Sequence, residues 1–271
     1  MLYLVATPIG NLGDISQRAI DTLRDCDLIA CEDTRRTIKL LNAYDIRKPM
    51  VAYHEHNEME QGEKLLQKAI DGLDVCLVSD AGCPGISDPG ESLVRLFHEN
   101  DIGVSVIPGP NAALSALMIS GLPTGKFSFE GFLDSRQGKR DARLRELGNE
   151  ERTIIFYEAP HRIGKTLNAM SNILGKNRKA AVIKEITKIH EKVSRGSLDE
   201  LAGLFMEDNQ KGEFVIVVEG GSSEETLPDI SPEERYNQLI DSGMGRKDAM
   251  RTVAREYNLS RRDVYSRVND L

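Results

Sequence analysis

Apolar and polar residues recur in one repeated order along the first 112 residues, a short apolar run followed by an amphipathic stretch. Apolar runs of this length are typical of buried strands, and the stretches between them have the spacing of helices that cover a sheet. The pattern therefore predicts a mainly parallel sheet with helices on both faces. The predicted strands are LYLVAT, DLIACE, MVAYH, VCLVSD and VSVIPG, and the predicted helices include DISQRAIDTLRDC, QGEKLLQKAIDGL and ESLVRLFHEN.

The pattern changes after residue 118. The segment ISGLPTGKFSFEGF interrupts the alternation with glycine and proline, and strands then follow one another at short intervals up to residue 222. Closely spaced strands favour a mixed sheet, so we expect a second α/β domain. Its predicted strands are FSFEGF, RTIIFYEA, KAAVIKEI, HEKVSRGS and GEFVIVVEG, and its helices are KRDARLREL, HRIGKTLNAMSNIL and SLDELAGLFMED.

The last part of the chain is predicted to be an acidic linker, SSEETLPDISPEE, and three short helices. The middle helix starts near Arg246 and ends at Asn258, and Ser260 caps the last one, in the order of a helix-turn-helix. The positions predicted to face inward are Ala249, Val253, Ala254, Val264, Tyr265 and Val268. The predicted fold is thus α/β, with a mainly parallel domain (1–118), a mixed-sheet domain (119–222) and a small helical domain (223–271).

Composition adds a contrast between the average charge and two local patches. The chain of 271 residues has a net charge of −8, so its average surface does not indicate nucleic-acid binding. Residues 246–267 nevertheless hold seven basic side chains against three acidic ones, and residues 134–145 hold five against two. Each patch is explained equally by a solvated helix face or by a surface that contacts phosphates.

The cysteines and the N-terminus predict a soluble intracellular protein. Cys26, Cys31, Cys76 and Cys83 match no CxxC pattern, so we expect reduced residues that pack in the core of a cytosolic protein. The start MLYLVATPIG lacks the basic region of a signal peptide, and no apolar run approaches the length that spans a bilayer. We therefore expect no membrane partner.

Three loops at predicted strand ends are candidates for a ligand site: ATPIGNLGD, SDAGCPGISDPG and IPGPNAAL. Ligands bind beside such loops in open α/β sheets, although glycine and proline also mark ordinary crossover turns. None of the loops contains GxGxxG or GxxxxGK[ST], the usual phosphate cradles. Rigid backbone without such a cradle suits a smaller ligand with an adenine, a ribose and an amino acid, such as S-adenosylmethionine.

Charged residues near other strand ends are candidates for proton transfer or phosphate binding. KEITKIHE supplies Glu185 and Lys188, and CEDTRRT supplies Asp33, Arg35 and Arg36. Ion pairs within the fold or across a dimer explain the same residues equally well. His54 and His56 flank Glu55, but a histidine pair at this spacing without a third ligand does not predict a metal site.

Six motifs in the same order resemble one known family: MLYLVATPIGNLGD, CEDTRRT, SDAGCPGISDPG, IPGPNAAL, FYEAPHR and KEITKIHE. They resemble the 16S ribosomal RNA cytidine 2′-O-methyltransferases, a branch of the tetrapyrrole (corrin/porphyrin) methylase superfamily. The resemblance covers about residues 1–222, and the basic tail is similar too. It implies a homodimer that holds S-adenosylmethionine between two α/β domains and methylates a cytidine ribose in the decoding region of the small ribosomal subunit.

The resemblance also implies which residues form the site. The implied cofactor-binding residues are Pro8, Ala81, Gly82, Pro84, Gly85, Ile86, Asn111, Ala112, Tyr157, Glu158 and Gly212. The loop reads DAGCP where the superfamily often has GDP, a departure from the superfamily motif that resembles the RNA branch. Because a ribose hydroxyl is a poor nucleophile, we predict catalytic roles for Asp33, Glu185 and Lys188. The predicted RNA contacts are Arg35, Arg36, Arg136, Lys139, Arg140, Arg261 and Arg262.

Two other functions fit parts of the sequence. A methyltransferase for a small tetrapyrrole fits the superfamily, but the basic tail and the motifs FYEAPHR and KEITKIHE favour an RNA substrate. A nucleotide-sensing DNA-binding regulator fits the tail, yet LSRRDVYSRVNDL offers few side chains that read base edges. The sequence thus favours a cytoplasmic enzyme that acts on 16S ribosomal RNA or the small ribosomal subunit.

Overall fold

The five apolar runs of the N-terminal half form one parallel sheet in the computed structural model of the protein, which describes residues 1–206, 210–221, 230–257 and 259–269. The strand order is β3-β2-β4-β1-β5, and every neighbouring pair is parallel. The strands are β1 (Leu2–Val5), β2 (Leu28–Cys31), β3 (Met50–Ala52), β4 (Val75–Val78) and β5 (Val104–Ile107). The helices between them are α1 (Gln17–Asp25), α2 (Thr34–Ala43), α3 (Glu58–Ile70) and α4 (Glu91–Glu99).

Both faces of this sheet are buried, as predicted. Successive side chains of a strand point to opposite faces. In β2, Ile29 and Cys31 belong to the apolar cluster that contains α1, whereas Leu28 and Ala30 belong to the cluster with α3 and α4. A strand buried on both sides reads as a continuous apolar run, which is why these strands were visible in the sequence.

Helix α5 (Ala112–Ser120) follows β5 but packs against the second sheet. Its residues Ala113, Ala116 and Leu117 share one apolar cluster with Ile155 and Val217 of that sheet. The proposed domain boundary at residue 118 therefore lies inside a helix that joins the two sheets. Residues Met1–Gly220 form one compact unit.

The second sheet is mixed, as predicted, with the order β6-β7-β10-β8-β9. Strands β6 and β7 are parallel, and the other neighbouring pairs are antiparallel. The strands are β6 (Phe127–Phe132), β7 (Thr153–Glu158), β8 (Lys179–Lys184), β9 (Lys192–Ser197) and β10 (Phe214–Val218). The helices are α6 (Gln137–Glu146), α7 (Ile163–Leu174) and α8 (Leu198–Leu204). The predicted end of α8 at Glu207 and Asp208 lies outside the described residues.

A second unit, Gly221–Leu271, contains α9 (Pro232–Asp241), α10 (Arg246–Glu256) and α11 (Arg261–Asn269). Its core holds Ala249, Val253 and Val264, as predicted, but Tyr265 is 58% exposed and was wrongly predicted to face inward. The sequence SPEE was also wrongly predicted as linker, because Ser231 and Glu234 form a capping box that starts α9. The linker residues 222–229, which include the predicted boundary at residue 222, and Asn258 lie outside the described residues.

No helix in the described parts of the chain has both the length and the apolar character needed to cross a membrane.

Candidate active site

A cavity of about 340 Å³ lies where the carboxyl ends of the first sheet meet the second sheet. Strands β4 and β1 are neighbours in the order β3-β2-β4-β1-β5. After β1 the chain crosses to β2, toward one edge of the sheet, whereas after β4 it crosses to β5, at the opposite edge. The loops after these two adjacent strands therefore diverge, and ligands bind at such a switch point in open α/β sheets. The second sheet closes the opposite wall with the ends of β6 and β7 and the start of β10. The volume is within the range of small-molecule sites.

Seven of the predicted cofactor-binding residues line this cavity: Ala81, Gly82, Ile86, Asn111, Ala112, Tyr157 and Glu158. The other four, Pro8, Pro84, Gly85 and Gly212, are not among its lining residues, but each is the chain neighbour of one. The loops named in the prediction thus line the cavity, whereas four of the single residues do not, because the direction of a side chain in a loop depends on backbone angles that the sequence pattern does not give.

Hydrogen bonds tie the three first-sheet loops to one another. The N–H of Thr7 donates to the carbonyl of Gly82 (2.8 Å), and the N–H of Gly82 donates back to Thr7 (3.1 Å). Asn111 caps α5 by accepting from the N–H of Leu114 (2.9 Å), and its amide also contacts Cys83 Sγ (3.6 Å). A wall held by backbone bonds and a helix cap is preorganised, which lowers the entropy cost of binding.

The second sheet contributes an aromatic surface and one buried carboxylate. Tyr157 makes edge-to-face contacts with Phe129 and Phe132, and burial raises its pKa. The side chain of Glu158 is only 1% exposed, with its carboxylate accepting from Thr166 Oγ1 (2.5 Å) and pairing with Arg162 Nε (3.2 Å). Glu158 is thus a fully hydrogen-bonded part of the wall.

Lys188, Glu185 and Glu213 form one ion-pair group beside the cavity. Lys188 Nζ donates to Glu185 Oε1 (2.9 Å) and to Glu213 Oε2 (2.8 Å). Partial burial disfavours the charged form of both predicted catalytic residues, but the hydrogen bonds between them and their partners outweigh it, raising the pKa of Lys188 and lowering that of Glu185. Both are therefore charged at neutral pH, and Glu213 alone of the three lines the cavity.

Asp33 is engaged at the start of α2. Its carboxylate accepts from the backbone N–H of Arg35 (2.8 Å) and pairs with the Arg35 guanidinium. These bonds from Arg35 lower the pKa of Asp33 to about 2. The backbone N–H of Asp33 donates to Asp80 Oδ1 (3.1 Å), which places Asp33 behind a cavity residue.

Two aspartates of the loop after β4, Asp80 and Asp88, line the cavity without having been predicted. Arg36 Nη1 lies 3.3 Å from Asp80 Oδ2. Burial, together with the charge of the nearby Glu32, raises the pKa of Asp88 to about 6. Burial and the charge of Asp80 also raise the pKa of Glu32. The available sequence signal was the presence of two acidic residues in one glycine-rich loop, but the pattern did not show that both line the cavity.

The predicted RNA contacts differ in accessibility. Arg35, Arg36 and Arg136 are 87%, 66% and 68% exposed, and each pairs with a nearby aspartate. Arg140 is only 12% exposed and pairs with Asp141, so it is poorly placed to reach a phosphate. Lys139 and Arg262 are exposed, whereas the side chain of Arg261 lies outside the described residues.

His54 and His56 stand edge to face, with ring centroids 6.0 Å apart. Over the described residues, no group of three or more metal-binding side chains comes together.

The lining suits a ligand that carries positive charge and an aromatic ring. All its residues are described, and they include Asp80, Asp88, Glu158 and Glu213 but no lysine or arginine. Exposed backbone of the glycine-rich loop and the aromatic rings of Tyr157 and Phe132 complete it. A sulfonium nucleoside matches this combination, whereas the charge of the wall disfavours a polyphosphate.

Comparison with known proteins gives the same family along nearly the whole chain. The family model for tetrapyrrole (corrin/porphyrin) methylases matches residues 1–202. The chain is 47% identical over 268 residues to the ribosomal RNA small subunit methyltransferase I of Synechocystis sp., covering 98% of this chain and 96% of that protein. It is 45% identical over 273 residues to the protein of the same name from Bacillus subtilis, covering 98% and 92%.

Solved structures agree at the level of the fold. The uroporphyrin-III C-methyltransferase of Thermus thermophilus, solved in complex with S-adenosyl homocysteine, superposes with a TM-score of 0.56 at 18% identity. The superposition covers 80% of this chain and 96% of that one. The protein belongs to the tetrapyrrole (corrin/porphyrin) methylase family, in the branch of the relatives named ribosomal RNA small subunit methyltransferase I.

Proposed function

We propose that the protein uses S-adenosylmethionine to methylate 16S ribosomal RNA, at the ribose 2′-hydroxyl of a cytidine in the decoding region. The single observation that carries the proposal is the cavity at the strand ends, lined by carboxylates and backbone in a chain 47% identical to a ribosomal RNA methyltransferase. The names of the relatives favour a methyltransferase over a DNA-binding regulator. A substrate in the small ribosomal subunit would favour a cytoplasmic enzyme.

The cavity supplies the groups that would hold the cofactor. Backbone around Ala81, Gly82 and Ala112 would contact its polar groups, and Tyr157 would pack against its rings. When bound, S-adenosylmethionine supplies an electrophilic methyl group on a positively charged sulfur. The hydrogen bonds between the loops hold the wall in a fixed arrangement, so the carboxylates would be preorganised around the cofactor.

RNA binding by an acidic protein requires local positive surface. Arg35 and Arg36 stand at the start of α2, within reach of the wall through Asp80, and Arg136 and Lys139 stand at the start of α6. Their guanidinium and ammonium groups would neutralise phosphates around the target nucleotide. Ion pairs to neighbouring aspartates would then exchange for contacts with phosphates, which costs little at exposed positions.

We also infer a homodimer from the outer face of α5. Leu114 and Met118, one turn apart on this helix, are 46% and 79% exposed, and Val106 of the edge strand β5 is 63% exposed. Exposed apolar groups of this kind mark association sites, and a second copy of the same chain offers a matching surface. Light scattering of the purified protein measures its mass, and a monomer would refute the inference.

Transfer of a labelled methyl group tests the proposed function. The protein is incubated with labelled S-adenosylmethionine and either free 16S RNA or small subunits from cells that lack the modification. We expect label in one cytidine, located by mass mapping, and resistance to alkaline cleavage after that nucleotide, because a 2′-O-methyl group removes the attacking hydroxyl. Label on a base, or transfer to a tetrapyrrole and not to RNA, would refute the proposal.

A further inference from the structure

The side chain of Asp88 is a partly buried carboxylate on the wall of the cavity. It belongs to the same loop as Ala81 and Gly82, which would hold the cofactor. The lining residues, all of them described, hold no lysine or arginine, so no cation from the wall itself neutralises Asp88. A carboxylate in this position faces the space in which cofactor and substrate would meet.

The loop fixes Asp88 through its backbone. The preceding residue, Ser87, has a φ of +60°, which is uncommon for a residue with a side chain. The N–H of Gly85 donates to the carbonyl of Pro89 (3.2 Å), which closes the turn around Asp88. Strained residues of this kind persist where the surrounding structure holds them, and they concentrate at functional sites.

The surroundings of Asp88 are mostly acidic. Burial raises the pKa of Asp88 first, and the charges of Glu32 and Asp80 add to it, while the Ser79 hydroxyl opposes the rise. Tyr157 faces Asp88 from β7, and Arg36 of α2 pairs with Asp80 at 3.3 Å. The resulting pKa of about 6 leaves the carboxylate mostly ionised at neutral pH and a stronger base than an ordinary aspartate.

The three predicted catalytic residues are less suited to accept a proton. Asp33 is held by Arg35, and the low pKa that results makes it a weak base. Lys188 is charged and donates to two carboxylates, so it has no free lone pair. Glu185 is the acceptor in that group and is not among the lining residues.

We propose that Asp88 is the catalytic carboxylate that accepts the proton of the substrate hydroxyl. This inference rests on the proposed function, since it requires a hydroxyl as the methyl acceptor. The ribose oxygen forms a bond to the methyl carbon while the bond from that carbon to sulfur breaks. The electron pair of the broken bond stays on sulfur, which becomes neutral, and the hydroxyl proton passes to Asp88 and then to solvent.

Asp88→Asn tests the proposal, because it keeps the shape of the side chain and removes the base. Single-turnover rates are measured at saturating cofactor and RNA between about pH 5 and about pH 8. We expect the wild-type rate to fall as the pH drops through about 6, where Asp88 becomes protonated. Asp88→Asn should be about 10²–10⁴-fold slower and lose this pH dependence. Asp88→Glu should recover part of the rate.

Two measurements separate a proton acceptor from a structural residue. Calorimetry with S-adenosylmethionine should show that Asp88→Asn loses far less in cofactor affinity than in rate, because Asp80, Glu158 and Glu213 remain in the wall. The melting temperature should be equal or higher because a carboxylate is removed from an acidic group. A carboxyl NMR titration of the labelled protein, assigned with Asp88→Asn, should show a group that titrates near pH 6. Glu91→Gln is the matched control, because Glu91 is 84% exposed and pairs with Arg95; its rate should be unchanged.

The outcomes distinguish this inference from the proposed function. If the wild type methylates RNA and Asp88→Asn does so at the same rate, the role of Asp88 is refuted and the proposed function stands. A loss of cofactor affinity in Asp88→Asn without a change in the saturated rate also refutes it, because Asp88 would then bind the cofactor. A wild type that methylates no hydroxyl refutes both.

Discussion

At the scale of single residues, Glu158 shows how a cavity wall can contain a buried charge. Its carboxylate is met by Thr166 Oγ1, by the N–H of Ala159 (2.7 Å) and by Arg162. A buried carboxylate is tolerated only when such partners replace water. Because Thr166 and Arg162 both belong to the first turn of α7 or its cap, the charge also fixes where this helix begins beneath the cavity.

Glu158→Ala should therefore destabilise the protein by about 3–5 kcal/mol, because it leaves Arg162 and Thr166 without their buried partner. Chemical denaturation measures the free energy of unfolding. The matched control is Glu60→Ala, since Glu60 also pairs with a basic side chain, Lys64 (2.6 Å), but is 78% exposed. The control should change stability far less. An equal loss of unfolding free energy in the two variants would show that burial does not increase the contribution of Glu158 to stability.

Single residues also show which features of the site are local in sequence and which form only in the folded protein. Asn111, which the family resemblance implied for the site, lines the cavity and caps α5 directly after the PGP turn that follows β5. Glu213 and Phe132 line it too, but they come from distant strands whose ends meet only in the folded sheet. Arg140 carried the expected charge, yet its burial against Asp141 was not visible in the sequence.

At the scale of elements, the loop after β8 is held between two glycines of other loops. A Cβ atom on Gly212 would lie 2.6 Å from Glu185 Cγ, and one on Gly10 would lie 2.5 Å from Lys188 Cγ. Glu185 and Thr187 have φ angles of +52° and +67°. The ion-pair group of Lys188 thus depends on close approach of three backbone segments, and glycine is what allows it.

Gly212→Ala tests this packing, because Gly212 has a φ of +97° and no space for a side chain. Gly72→Ala is the matched control: its φ of +94° is nearly the same, but no atom lies within 4 Å of the added Cβ. The free energy of unfolding of the control should fall only by the cost of placing a side chain at a left-handed backbone position, about 1–2 kcal/mol. Gly212→Ala should lose more in a denaturant titration, since Glu185 must also move, and equal losses would contradict the packing argument.

The strands and helices that could be predicted are those whose own sequence shows a continuous apolar run or a helical periodicity. Strands β1, β2 and β4 were found because burial on both faces gives them continuous apolar runs. Helix α5 reads AALSALMIS and has no polar face, so its sequence shows no helical periodicity. Its packing on the second sheet was equally hidden, because this contact joins parts of the chain that the predicted boundary at residue 118 had separated.

At the scale of the whole molecule, an acidic chain carries a basic stretch, residues 246–267, within its small helical unit. The net charge is −8, yet Arg246, Lys247 and Arg262 are exposed in the C-terminal unit. The core of that unit, with Ala249, Val253 and Val264 at 0% exposure, is separate from the apolar clusters of the two sheets. A unit with its own core keeps its surface charges in a fixed arrangement, which suits the contact of phosphates by several side chains at once.

If this surface contacts RNA, replacing Arg246, Lys247 and Arg262 together by glutamine should weaken binding and make it less sensitive to salt. Each lost phosphate contact lowers the slope of log K against log salt concentration by about 0.7–0.9, so the triple variant should lose about 2–3 in slope. The matched control replaces Arg24, Lys64 and Arg95, which are 47%, 57% and 64% exposed in the other unit, and removes the same charge. Filter binding at several salt concentrations measures both. The two variants have the same net charge, so an equal loss of slope in both would indicate a general effect of charge. An unchanged slope in the variant of Arg246, Lys247 and Arg262 would show that these residues do not contact the RNA backbone.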